Sequence, residues 1–153
     1  DKPVVGNPSP YESNKTFLGS CEVAWAYGRP YKRGRQIFGK VVPYDQVWRT
    51  GAGSATILTF TEDLYFGDTM VPKGKYNLYT LPKKTGWTLI FNNEPNAWGS
   101  AHRPEYDVHK VSMKSGMQHE IVDQFTISIE ETREGGILTM VWDDTWAKVT
   151  IRR

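Results

Sequence analysis

The sequence predicts an all-β fold: a single antiparallel β-sandwich, jelly-roll-like, with one or two short helical turns. Three observations carry that expectation. The dominant hydrophobic period is two rather than 3.6. The periodic segments are rich in β-branched and aromatic residues, which fit a pleated, half-buried surface. Turn signals built on Gly, Pro and Asp separate them at the spacing of a sandwich or barrel. The composition agrees, with 14 Gly, 9 Pro, six Trp, eight Tyr and six Phe in 153 residues.

Taken in order, the chain opens with an extended lead over residues 1–10, which carries three prolines, and residues 11–153 form one domain. Val23, Trp25 and Tyr27 share a face of one strand. Thr56, Leu58 and Phe60 alternate with Ala55, Ile57 and Thr59 in the next. Gly67-Asp68 separates Leu64-Tyr65-Phe66 from Met70-Val71. Val71-Pro72-Lys73-Gly74 has the residue preferences of a type I turn. Tyr76 and Leu78 lead through Pro82–Gly86 to Trp87, Leu89 and Phe91. His109, Val111 and Met113 alternate with lysines and serine, and Phe125, Ile127 and Ile129 with Thr126, Ser128 and Glu130. Gly135-Gly136 supplies positive φ at little steric cost before Leu138, Met140 and Trp142. Asp143-Asp144-Thr145 is short enough to turn a hairpin into Ala147, Val149 and Ile151. The helical turns fall at Pro43–Arg49 and at Pro95–Trp98, each with Pro at the start.

Charge and composition exclude several function classes. A net charge of +2, from 19 Lys+Arg and 17 Asp+Glu, argues against nucleic acid as a partner. No stretch approaches the ~18 apolar residues of a transmembrane helix. The single cysteine, Cys21, allows no intrachain disulfide and reads as a small buried hydrophobe. Gly51-Ala52-Gly53 lacks both the third glycine and the helix that a dinucleotide fingerprint needs. His119-Glu120-Ile121-Val122-Asp123 resembles a zinc motif but joins a loop to a strand rather than lying on a helix. His102, His109 and His119 show no ligand spacing, so neither a metal nor a cofactor is expected.

The segment 28–53 is the most informative. Arg29, Lys32, Arg33, Arg35 and Lys40 crowd its first half, and Arg49 follows Trp48. Arginine forks suit carboxylates, phosphates or sugar hydroxyls and stack on aromatic rings. A basic-aromatic ligand surface of Arg29, Arg33, Arg35, Trp48, Arg49 and, from a second long loop, Trp98 is one expectation. The other is that Arg29 and Arg49 are clamps tying loop carbonyls and carboxylates together.

These residues also carry a family resemblance. Gly28-Arg29-Pro30, Gly34–Gly39, Val42-Pro43-Tyr44 and Val47–Ala52 are followed by Pro72–Pro82, Trp87–Asn92 and Trp98-Gly99. Together they resemble the bacterial domain-of-unknown-function family numbered 2911, over about residues 8–152. The resemblance implies an all-β domain and an exported protein of Bacteroidetes-type bacteria, periplasmic or outer-membrane-associated, with its signal removed. It supplies no catalytic residues. Gly53 departs from the family pattern, where Asn is common.

The favoured function is a noncatalytic binding or accessory module of the bacterial envelope. It would recognise a glycan, an anionic small molecule or an envelope protein, with peripheral membrane association through a complex. Two alternatives remain. One is a hydrolase or lyase drawing its acid and base from Asp45, Glu94, His102, Glu105 and Asp107; two carboxylates, or His102 and a carboxylate, facing one cleft would promote it, and their scattering over the surface would end it. The other is a structural subunit of a larger envelope assembly, joined through edge strands or an aromatic anchor.

Overall fold

The computed structural model describes residues 9–95, 97 and 101–153. The expected lead lies almost wholly outside them, as do Trp98 and part of the second predicted helical turn. Nine strands are formed among the described residues: β1 (Tyr11–Leu18), β2 (Cys21–Gly28), β3 (Ile57–Phe60), β4 (Leu64–Phe66), β5 (Thr69–Val71), β6 (Gly74–Lys83), β7 (Gly86–Asn92), β8 (Asp107–Glu131) and β9 (Gly135–Arg152). They hydrogen-bond antiparallel in one continuous order, β1-β2-β3-β6-β7-β8-β9-β4-β5. The all-β antiparallel class is therefore as expected. The strand order lends no separate support to the finer sandwich or jelly-roll description.

β8 organises the sheet because it serves two neighbours along its length. Asp107–Met113 pairs with β7, and the part from Lys114 onward pairs with β9. The strand order puts β2 four places from β8, yet the residues that leave β2 return to it. Lys32 donates its backbone N–H to the Asp123 carbonyl at 2.6 Å, and Phe125 donates to Pro30 at 3.0 Å. Side chains of β2 make the same crossing: the Trp25 indole donates to the Ile127 carbonyl at 2.9 Å, and the Ile127 N–H to the Tyr27 hydroxyl at 2.8 Å. The sheet is thus curled back on itself around one hydrophobic core. The alternating residues predicted to face inward do so: Val23, Leu58, Phe60, Leu89, Phe91, Phe125 and Met140 are all buried, as is Cys21.

Two local expectations are corrected. Pro43–Arg49 is not helical. Its backbone groups are recruited by β6 instead: the Trp48 N–H donates to the Thr80 carbonyl at 2.8 Å, Thr80 returns the bond at 3.0 Å, and Asp45 donates to Pro82 at 2.8 Å. Asp45 sits at φ 67°, which no α-helix allows. The only helical turn among the described residues is a 3₁₀ turn, Pro104–Tyr106. Nor does Asp143-Asp144-Thr145 close a hairpin. β9 runs through it, and the register against β8 shifts there between Met117/Val122 and Val122/Thr126. Asp143 takes φ 57° inside the strand, so the pair bulges where a turn was expected. His119–Asp123 falls in the bulged part of β8.

Candidate functional site

The long connection between β2 and β3 is held by a few fixed points, and these position the predicted site. Its first anchor is Arg29. The guanidinium donates from Nε to the Phe125 carbonyl at 2.9 Å, from Nη1 to Glu12 Oε1 at 2.6 Å and from Nη2 to Thr126 Oγ1 at 2.9 Å. Such a fork is spent on the fold, tying β1 to β8. Arg29→Lys keeps one charge but cannot reproduce three divergent bonds. We expect a loss of about 1–3 kcal/mol in urea unfolding, with the Glu12 pair the part most easily retained.

Beyond Arg29, Ile37, Phe38 and Val42 plug the core. The Ile37 N–H donates to Asp143 Oδ2 at 3.2 Å, so the bulge in β9 caps this plug. Phe38 then packs on Trp48, Trp87 and Trp142, with ring centroids 5.9, 5.2 and 6.3 Å away. Trp48 stacks on Trp142 at 6.0 Å and 17°. Thr50 follows, buried and left-handed at φ 62°, its hydroxyl bonded to the Trp48 carbonyl and 2.9 Å from Thr80 Oγ1. A β-branched residue there is strained. Three of the four described non-glycine residues with positive φ, Arg33, Asp45 and Thr50, lie in this connection, and the fourth, Asp143, faces it. Strain of this kind persists only where the surroundings enforce it.

The result is a cavity of about 420 Å³ whose walls include Arg33, Arg35, Arg49, Trp48, Trp142 and Val42. Four of the six predicted surface residues therefore meet at one place. Trp48 is half-buried and Arg49 exposed, neither sealed in the core. Arg35 uses Nε and Nη2 on the Lys32 and Tyr31 carbonyls, at 2.9 and 2.8 Å, which fixes its direction. The described lining contains three arginines and no carboxylate. Arg29 does not line this cavity, and Trp98 lies outside the described residues. Trp142 was legible as a strand residue but not as part of a site, because only the bulge of β9 brings it under the β2–β3 connection.

A family model described as "Protein of unknown function (DUF2911)" matches residues 9–151, the whole of this architecture. The chain belongs to the DUF2911 family. No curated protein and no solved structure matches it.

In this DUF2911 chain the loop-borne acid–base candidates separate into two groups. Asp45 and Glu105 are exposed, beside Lys83 at 3.3 Å and Arg103 at 3.6 Å. Glu94, His102 and Asp107 converge with Arg103 at the far end of β7. His102 Nε2 lies 2.9 Å from both Asp107 oxygens. Asn92 donates to Asp107 Oδ1 at 2.9 Å and to the Arg103 carbonyl at 3.1 Å. Asn77, its cross-strand partner, donates to Asn92 Oδ1 at 3.3 Å and to the Glu94 carbonyl at 2.9 Å. Arg103 holds Glu94 Oε2 at 3.0 Å. The Tyr79 ring lies 4.6 Å from that of His102. Burial first, then the Glu94 and Asp107 carboxylates, push its phenol above the usual tyrosine range. Sequence reading named Glu94, His102 and Asp107 but missed Asn77, Tyr79, Asn92 and Arg103. The signal for the two asparagines was their place inside otherwise apolar strands, where asparagine is ordinarily depleted.

Proposed function

We propose that this domain is a binding module of the bacterial envelope and that its basic-aromatic cavity takes an anionic small molecule or an acidic glycan without itself performing chemistry on it. One observation carries this reading: Arg33, Arg35 and Arg49 share a cavity of about 420 Å³ with Trp48 and Trp142, and no carboxylate is among its described lining residues. Guanidinium forks match carboxylate and phosphate oxygens, and an indole wall suits the apolar face of a sugar ring. Cations gathered on one concave surface raise the local potential for an anion. The family resemblance supports the envelope setting. A protein partner entering through the same surface would be a variant of this function.

The test is calorimetric titration with a uronic-acid oligosaccharide, a sugar phosphate and a neutral glycan of equal size. Saturable binding of an acidic probe, weakened by salt and absent for the neutral one, is expected. Arg49→Gln should weaken it about tenfold or more, since a charge-assisted bond contributes about 1.5–3 kcal/mol. Equal affinity for acidic and neutral probes, or an unaffected variant, would rule the reading out.

A further inference from the structure

Where β8 pairs with β9, the outward face of the sheet carries a charge arrangement that the fold does not need. The register sets Lys114 directly opposite Lys148, and Gly116 directly opposite Trp146. Directly opposed residues share a face, so the two ammonium groups are neighbours, and like charges so placed are destabilising. Both lysines are exposed, and neither forms an ion pair among the described residues. Lys148 lies instead over the Trp146 indole, 4.8 Å from the ring centroid.

The indole is set low on the sheet by the glycine opposite. A Cβ at Gly116 would come 2.5 Å from Trp146 Cζ2, so a larger residue there would push the ring away. Trp146 is half-buried, not covered. It lines a cavity of about 340 Å³ together with Ser112, Lys114, Ile137, Lys148 and Val149. The floor is aliphatic and aromatic, and the two lysines are the only charged groups among the described lining residues. Methylenes gain by leaving water for such a floor, and the ammonium pair beside it favours an anion. A sugar suits the groove less well, because its hydroxyls call for converging polar groups and the described lining holds no carboxylate or amide side chain.

We infer that this groove binds a single-chain amphipathic anion, with its alkyl chain on Trp146, Ile137 and Val149 and its head between Lys114 and Lys148. The head offsets the repulsion between the opposed lysines, so binding relieves a cost built into the β8–β9 register. An ammonium is a point charge without the fork of arginine, so the site selects the head by charge rather than by the geometry of its oxygens. This site is separate from the basic cavity under the β2–β3 connection, with which it shares no lining residue. The two sites divide the anions between them: arginine forks and stacked indoles for a polar one, a lysine pair on an apolar floor for an amphipathic one.

Calorimetric titration of the whole chain with decanoate, butyrate and decyltrimethylammonium tests this. Decanoate should bind at one site per chain and more weakly as salt is raised. Butyrate should bind about tenfold more weakly or worse, since a few buried methylenes are worth that much, and the cationic amphiphile should not bind. Lys114→Gln and Lys148→Gln should each weaken decanoate about fivefold. Lys148→Glu, which gives Lys114 a cross-strand partner of opposite charge, should abolish binding. Both lysines are exposed, so these variants carry the test even if Trp146→Leu, expected to weaken decanoate about tenfold, does not fold. No saturable binding of decanoate, equal affinity for the cationic amphiphile, undiminished binding in the lysine variants, or its loss in Arg49→Gln, which would place the acid in the basic cavity, would each overturn the inference.

Discussion

Gly28→Ala is expected to destabilise the domain by about 3 kcal/mol or more, from the cost of overpacking a site that cannot yield. Gly28 ends β2 with ordinary negative φ, so the reason is space rather than dihedral freedom. A Cβ there would sit 1.7 Å from the Ala52 carbonyl oxygen, a backbone atom. Gly51, at φ 148°, faces it with a smaller margin of conflict: its Cβ would come 2.9 Å from Thr56 Oγ1 and 3.0 Å from the Gly28 carbonyl oxygen. These two glycines let the segment after Arg49 lie directly on the end of β2. Gly34→Ala is the comparison, because Gly34 has φ 72° and nothing within 4 Å of an added Cβ. It should cost only the left-handed strain of about 1–2 kcal/mol. Thermal melts would show the difference as roughly 2–4 °C per kcal/mol for a chain of this size. Similar losses for the two variants would mean that the 51–52 segment shifts freely, and the rigid placement of Arg49 would fall with it.

Trp142→Ala is expected to cost about 3–5 kcal/mol and to abolish binding in the basic cavity. Trp142 is 2% exposed and contacts Phe38, Trp48 and Phe125 at ring distances of 6.3, 6.0 and 5.8 Å. It is both a core residue and a wall of the cavity. Its indole also donates to the Asp123 carbonyl at 3.1 Å, on the bulged part of β8. Trp142→Phe separates the contributions: most of the packing survives, and the lost bond costs about 1 kcal/mol. Urea unfolding of both variants, with titration of the acidic probe against the folded Phe variant, measures them. Undiminished stability in Trp142→Ala would show that the aromatic cluster is not a single packed unit.

The two halves of the candidate surface differed in how far they could be read from sequence. Arg33, Arg35, Trp48 and Arg49 stood out because cations and indoles crowd a short, glycine-rich connection, and they do share a cavity. Arg29 stood out for the same reason and is a clamp. Nothing local separates the two roles. What decides is whether Glu12, Phe125 and Thr126, from β1 and β8, arrive beside it. The misplaced helical turn at Pro43–Arg49 has the same origin, since its backbone is claimed by Thr80 and Pro82 on β6. The supposed hairpin at Asp143 shows it again, because β8 bulges opposite and keeps β9 paired across it.

By itself, then, the sequence determined the class of structure. Alternation of period two fixes which side of each strand is buried, and Gly and Pro mark where strands stop, both through interactions a few residues long. The tertiary structure alone decided which strand lies beside which, and so the sites. β8 is one strand where the pattern read as two, and it joins both parts of the sheet. Its curling back onto the end of β2 brings Trp142 beneath Trp48, and the β6–β7 register sets Asn77 opposite Asn92. His102, Asp107 and Tyr79 meet for the same reason. Hydrogen bonds between segments far apart in the chain choose among neighbours that local periodicity leaves equivalent.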